Sequence, residues 1–60
     1  MERFNVNDIV VIVKENDRNE GKECRIIEVT HLVHFPVTIY RVEFEDGHKG
    51  YYFFGDILHR

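Results

Sequence analysis

Short β-branched and aromatic clusters, separated by polar punctuation, run the length of this chain. The first, DIVVIVK at 8–14, is too short for a typical helix and is closed by the polar loop ENDRNEG at 15–21, so it predicts a strand. Its lack of alternation predicts burial on both faces, or closure of a barrel. A second strand, KECRIIEVT at 22–30, follows the turn at Gly21. Pro36 in HLVHFP cannot donate to a ladder and marks a loop or an edge. The third strand, VTIYRVEFE at 37–45, is the most regular of the set.

Asp46-Gly47 is the strongest hairpin signal in the chain, since a type I′ turn needs positive φ at both central residues and this pair tolerates it. The fourth strand then covers 48–53 or 48–54. A two-residue loop sets Phe44 opposite Lys49, Val42 opposite Tyr51 and Tyr40 opposite Phe53. That register divides the run Tyr51, Tyr52, Phe53, Phe54 in two. Tyr51 and Phe53 turn inward with Tyr40, Val42 and Phe44, while Tyr52 and Phe54 turn outward beside Arg41. The remaining FGDILHR has room for one turn of 3-10 helix around Gly55 and Asp56 and a last strand at 57–59. Five short strands predict an all-β domain, a small curled barrel occupying 1–60.

Composition agrees with that class. Ala, Gln, Ser and Trp are absent, while Val, Ile, Tyr and Phe dominate the apolar set, which favours pleated surface over helix. A chain of 60 residues buries only about 60% of its unfolded surface, so its stability is marginal unless something staples it. The single cysteine, Cys24, excludes an internal disulfide and fits a reducing cytoplasm. Dense packing, or pairing with a second copy as a homodimer, must serve instead.

Eight Lys and Arg against eleven Asp and Glu give a net charge of -3, with the signs interspersed. This argues against non-specific nucleic-acid binding, which relies on concentrated basic surface. The start MERFNVND lacks the basic and apolar regions of a secretory signal, and the longest apolar run, 9–13, is too short to span a bilayer. The expectation is a soluble cytoplasmic protein.

Three spaced motifs carry a family resemblance: the opening NDIVVIV, the segment EGKECRIIEV, and the ending YRVEFEDG followed by YYFFGDIL. Together, over 7–58, they resemble the SH3-like barrel group. That group includes Tudor and KOW-type modules and the small barrel subunits of photosystem I and of ferredoxin:thioredoxin reductase. The resemblance implies a five-stranded SH3-like barrel with a short 3-10 turn before its last strand. It differs from peptide-binding SH3 domains, having neither an ALYDY-type segment nor a Trp, and its loop KENDRNEG lacks the basic character of an RNA-binding KOW module. In size it is similar to small bacterial and bacteriophage proteins that act by binding one larger protein.

Little catalytic chemistry is available. Without serine there is no Ser-His-Asp arrangement, and an isolated Cys24 inside an apolar strand reads as a small buried hydrophobe. His31 and His34 in HLVH supply one pair where zinc needs three or four converging ligands, and they read as exposed loop residues. Gly21, Gly50 and Gly55 open no helix and so form no phosphate cradle. No enzymatic activity, metal or cofactor is expected.

The rings are the sharpest signal, since exposed aromatic residues anchor protein interfaces. The leading expectation is a protein-binding module using Tyr52, Phe54 and Arg41 with Asn16, Arg18 and Glu20 of the charged loop. The alternatives are a KOW-like nucleic-acid or ribosome-associated module, and a self-associating structural barrel.

Overall fold

The apolar clusters pair into one antiparallel sheet in a computed structural model that describes residues 3–60. Met1 and Glu2, which open the MERFNVND segment and the expected 1–60 domain, lie outside the described residues. The strands are β1 (Ile9–Ile12), β2 (Glu23–His31), β3 (Thr38–Phe44), β4 (Lys49–Phe53) and β5 (Ile57–His59). A one-turn 3-10 helix at Phe54–Asp56 precedes the last, so the all-β class and the late turn are as the sequence predicts. The order across the sheet is β4-β3-β2-β1-β5. β4 and β5 are its two edges, and the sheet is not closed between them.

Alternation along the strands explains how one sheet makes a core without a second layer. Val10 and Ile12 from β1, Cys24 and Ile26 from β2, Tyr40, Val42 and Phe44 from β3, Tyr52 from β4 and Ile57 from β5 are all buried together. A sheet whose one face is dry and has no covering layer among the described residues must curl over itself. Phe4, ahead of β1, closes one end of this core, its ring edge-on to Tyr40 at 5.5 Å. The expected burial of β1 on both faces does not occur. Ile9 and Val13 stay partly exposed because no described element covers that side.

A β-bulge at Ile27 lets β2 follow the curl. Ile26 pairs with Val42 and Glu28 with Arg41, leaving Ile27 as the extra residue. Strict alternation from Cys24 and Ile26 would send Glu28 into the core. The extra residue sends Val29 there instead, packed against the buried cluster.

The β3–β4 hairpin corrects the expected register. Glu43 pairs with Lys49, Arg41 with Tyr51, Tyr40 with Tyr52 and Ile39 with Phe53, one position away from the pairing a two-residue loop gives. Gly47 N donates to Phe44 O at 2.9 Å and Phe44 N to His48 O at 2.9 Å, which encloses the three residues Glu45, Asp46 and Gly47. Gly47 has φ +93° while Asp46 keeps a negative φ, so the turn is not type I′ but a type I turn closed by a glycine bulge. The Asp46 carboxylate favours this form by accepting the His48 backbone N–H at 3.0 Å. One extra loop residue exchanges the faces of every side chain in β4. Tyr52, expected outside, is 5% exposed in the core, whereas Tyr51 and Phe53, expected inside, are 66% and 54% exposed.

Candidate protein-binding surface

On the outer face of the sheet, Tyr51 and Phe53 stand beside their β3 partners Arg41 and Ile39. The Arg41 guanidinium carbon lies 5.7 Å from the centre of the Tyr51 ring, within cation–π range. Arg41 Nε is buried without a hydrogen-bond partner, so its head is held by packing against the ring rather than by an acceptor. The next row along this face is neutralised. Glu43 takes Arg25 at 3.3 Å and Lys49 at 3.6 Å.

The two rings sit on an open edge. Because Phe44 and His48 form a hydrogen-bonded pair, the alternation of an antiparallel ladder gives the inward bonds of β4 to Gly50 and Tyr52. The backbone groups of Lys49, Tyr51 and Phe53 therefore point away from β3. Phe53 N–H is covered by Asp56 Oδ2 at 3.0 Å, which blunts one end of the edge. At Tyr51 no described strand continues the sheet.

Tyr52 acts from inside. Its hydroxyl donates to Asp17 Oδ2 at 2.7 Å and accepts from Asn19 Nδ2 at 3.0 Å, reaching the β1–β2 loop from the core. A phenol has one proton; once Asp17 has it, the Asn19 amide must present its nitrogen to Tyr52 and its oxygen to His48. Asn19 Oδ1 is 3.3 Å from His48 Nε2, and His48 Nδ1 in turn meets Asp46. The His48 ring stacks on Phe44, 4.4 Å between centres. This relay of Asp17, Tyr52, Asn19, His48 and Asp46 pins the loop to the hairpin turn. Its polar groups are spent on one another.

Titration follows the relay. The hydrogen bond from Tyr52 holds Asp17 below the usual carboxylate value, and the His48 backbone and ring do the same for Asp46. Burial pushes the Tyr52 hydroxyl up, and Asp17 adds to this against the opposing bond from Asn19. A carboxylate whose folded pKa is lowered contributes stability above its unfolded pKa, and that contribution is lost as pH falls through the folded value. Urea midpoints of the wild type should therefore fall once pH drops below the ordinary value of 3.8. An Asp17→Asn variant should be less stable at neutral pH and show a flatter acid limb in the same titration.

The loop is better anchored than a solvated tip. Gly21 N donates to Ile12 O at 2.8 Å, Glu20 N to Asp17 O and Lys22 N to Asn19 O at 3.0 Å each, and Asn19 is buried. Asn16, Arg18 and Glu20 point outward, with the Asn16 N–H 3.3 Å from Glu20 Oε1. Of the other residues expected at the site, Arg41 joins Tyr51, and Phe54 stands apart in the 3-10 turn, exposed and 5.5 Å from Phe4. No hydrogen bond, ion pair or ring contact among the described residues links Arg41 or Phe54 to the loop.

Cys24 is buried, and burial pushes its thiol up to about 11, which keeps it protonated at neutral pH. His31 bonds Thr38 through Nδ1 at 2.9 Å, and His34 is exposed in the loop after β2. Among the described residues no three His, Cys, Asp or Glu converge as metal ligands, and no helix is long and apolar enough to cross a membrane. Comparison of the chain with protein-family models, with curated proteins and with solved structures finds no match.

Proposed function

We propose that this chain is a non-enzymatic protein-binding module of the SH3-like small-barrel type, with Tyr51, Phe53, Ile39 and Arg41 as its contact face. One observation carries the reading: two rings of the edge strand β4, each more than half exposed, stand on the outer face with Arg41 of β3 lying over Tyr51. Tyr and Arg are the residue types in which interface energy concentrates, and an open edge offers a partner main-chain hydrogen bonds. Five antiparallel strands with a 3-10 turn before the last form the order of elements that the SH3-like resemblance implies. Its size and its single protonated thiol fit a cytoplasmic accessory or inhibitor protein, of bacterial or bacteriophage kind, that acts by binding one larger protein. A nucleic-acid role draws less support, because Arg25 and Lys49 on the outer face are both matched to Glu43.

The test is a photo-crosslinking amino acid placed at position 51 or 53, with position 58 on the opposite edge as comparison. The same single protein should be trapped from both β4 positions and not from Leu58. Adducts from position 58 alone, or from none of the three, refute the assignment. The same open edge favours a second reading, in which β4 pairs antiparallel with β4 of another copy about Tyr51. Sedimentation as a monomer at high concentration removes it.

A further inference from the structure

A separate groove of about 470 Å³ lies at the end of the core closed by Phe4. Phe4, Val29, Tyr40 and Phe54 supply its apolar lining, and Arg3 and His31 stand on it as basic groups. Three features distinguish it from ordinary surface relief. Its volume falls in the range of ligand sites. Among the described residues its lining contains no carboxylate, in a chain of net charge -3, whereas two other cavities each carry three: Glu23, Glu43 and Glu45 in one, Glu23, Glu45 and Asp46 in the other.

The third feature is Tyr40. The residue is only 4% exposed, yet its hydroxyl makes no hydrogen bond among the described residues. Arg41 Nε is the one described side-chain atom that is both fully buried and unpartnered, so the Tyr40 hydroxyl keeps an opening, and the groove that Tyr40 lines provides it. A hydroxyl that opens onto a groove from a buried ring, with no partner among the described residues, can bond whatever occupies that groove. Arg3 likewise has no ion pair among the described residues. His31 is oriented by its Nδ1 bond to Thr38, which leaves Nε2 for a ligand.

We propose that this groove is a second binding site, and that it takes an acidic peptide segment with one large apolar anchor. The anchor side chain enters among Phe4, Tyr40 and Phe54. A flanking carboxylate pairs with Arg3 and His31, and a peptide carbonyl accepts the Tyr40 hydroxyl. The charge complementarity selects the acidic partner: a basic segment would meet the Arg3 guanidinium and no carboxylate among the described lining residues. The site is independent of the Tyr51 and Phe53 face, because Tyr40 and Phe53 project from opposite sides of the β3–β4 ladder.

The probe is acetyl-Glu-Trp-Glu-amide, followed on the full chain by amide chemical shifts and by indole fluorescence, which reports the probe alone because the chain has no Trp. Saturable shifts are expected at Phe4, Val29, Thr38 and Phe54, with binding roughly tenfold weaker for acetyl-Gln-Trp-Gln-amide, the size of one lost charge-assisted bond. Arg3→Gln should reduce affinity for the acidic probe by about tenfold while leaving the Gln probe unaffected. Tyr40→Phe, which keeps the ring, should weaken both probes several-fold. A Tyr51→Ala, Phe53→Ala double variant should bind as the wild type does. Equal affinity for the Glu and Gln probes, shifts confined to the Tyr51 and Phe53 face, or no saturable shifts would overturn the proposal. Binding of indole-3-acetate as tight as the peptide would assign the groove to a free organic acid and overturn it equally.

Discussion

Tyr52→Ala is expected to leave much of the chain unfolded at 25 °C. Removing a buried aromatic side chain costs about 3–5 kcal/mol, and a domain of this size has roughly 3–9 kcal/mol in total. The loss is compounded because Tyr52 fills the core and also ties Asp17 and Asn19 to it. Tyr52→Phe separates the two roles. It keeps the ring and removes the hydroxyl, leaving the buried Asn19 amide without its acceptor at a cost of about 1–3 kcal/mol. Urea unfolding of the three proteins should rank wild type, Tyr52→Phe, Tyr52→Ala in falling midpoint. A Tyr52→Ala midpoint equal to that of the wild type would mean that the ring is outside.

The opposite behaviour is expected one residue to either side. Tyr51→Ala and Phe53→Ala should each weaken partner binding by about 30-fold, the scale of a residue worth 2 kcal/mol at an interface. Stability should change by no more than about 1 kcal/mol, since what is lost is a half-exposed cross-strand contact. Affinity measured by titration calorimetry, alongside urea midpoints, reads both effects. Large destabilisation with unchanged affinity would place these rings in the core and remove the proposed surface. The contrast between Tyr51 and Tyr52 makes a general loss of folding easy to tell from a loss of contact.

The fold was legible because its signals are local. β-branched clusters, Gly21, Pro36 and the Asp46-Gly47 turn mark strand ends directly, and all five strands form where those residues put them. The hairpin register was harder, because Asp-Gly serves a two-residue turn and the end of a three-residue one equally well. The deciding interaction is the Asp46 carboxylate on the His48 N–H, a local bond that a residue count does not weigh. Its consequence is large, since a shift of one position exchanged Tyr52 for Tyr51 and Phe53 as outward rings.

Other features depend on contacts distant in sequence. Asn19 sits among charges and reads as solvated, but it is buried through Tyr52, 33 residues away. Phe4 is an isolated ring in a polar segment without periodicity, and only the curl of the sheet gives it a core to close. The spacing from Ile26 to Val29 across Glu28 was a usable sign of the bulge, because strict alternation would have buried a carboxylate there. Arg41 was placed correctly on the outer face, though with Tyr51 rather than Tyr52 as its aromatic neighbour.

Both the outward face and the inward relay depend on the pairing of Arg41 with Tyr51. Non-hydrogen-bonded antiparallel pairs bring Cα atoms to about 4.5 Å, close enough for a strong nuclear Overhauser effect between their Hα protons. The measurement is that effect across the β3–β4 hairpin. Strong Hα–Hα contacts are expected for Arg41 with Tyr51 and for Glu43 with Lys49, together with shielded Tyr52 ring protons. A strong Hα–Hα contact between Val42 and Tyr51 in their place would restore the two-residue turn, return Tyr51 and Phe53 to the core and contradict the proposed binding face.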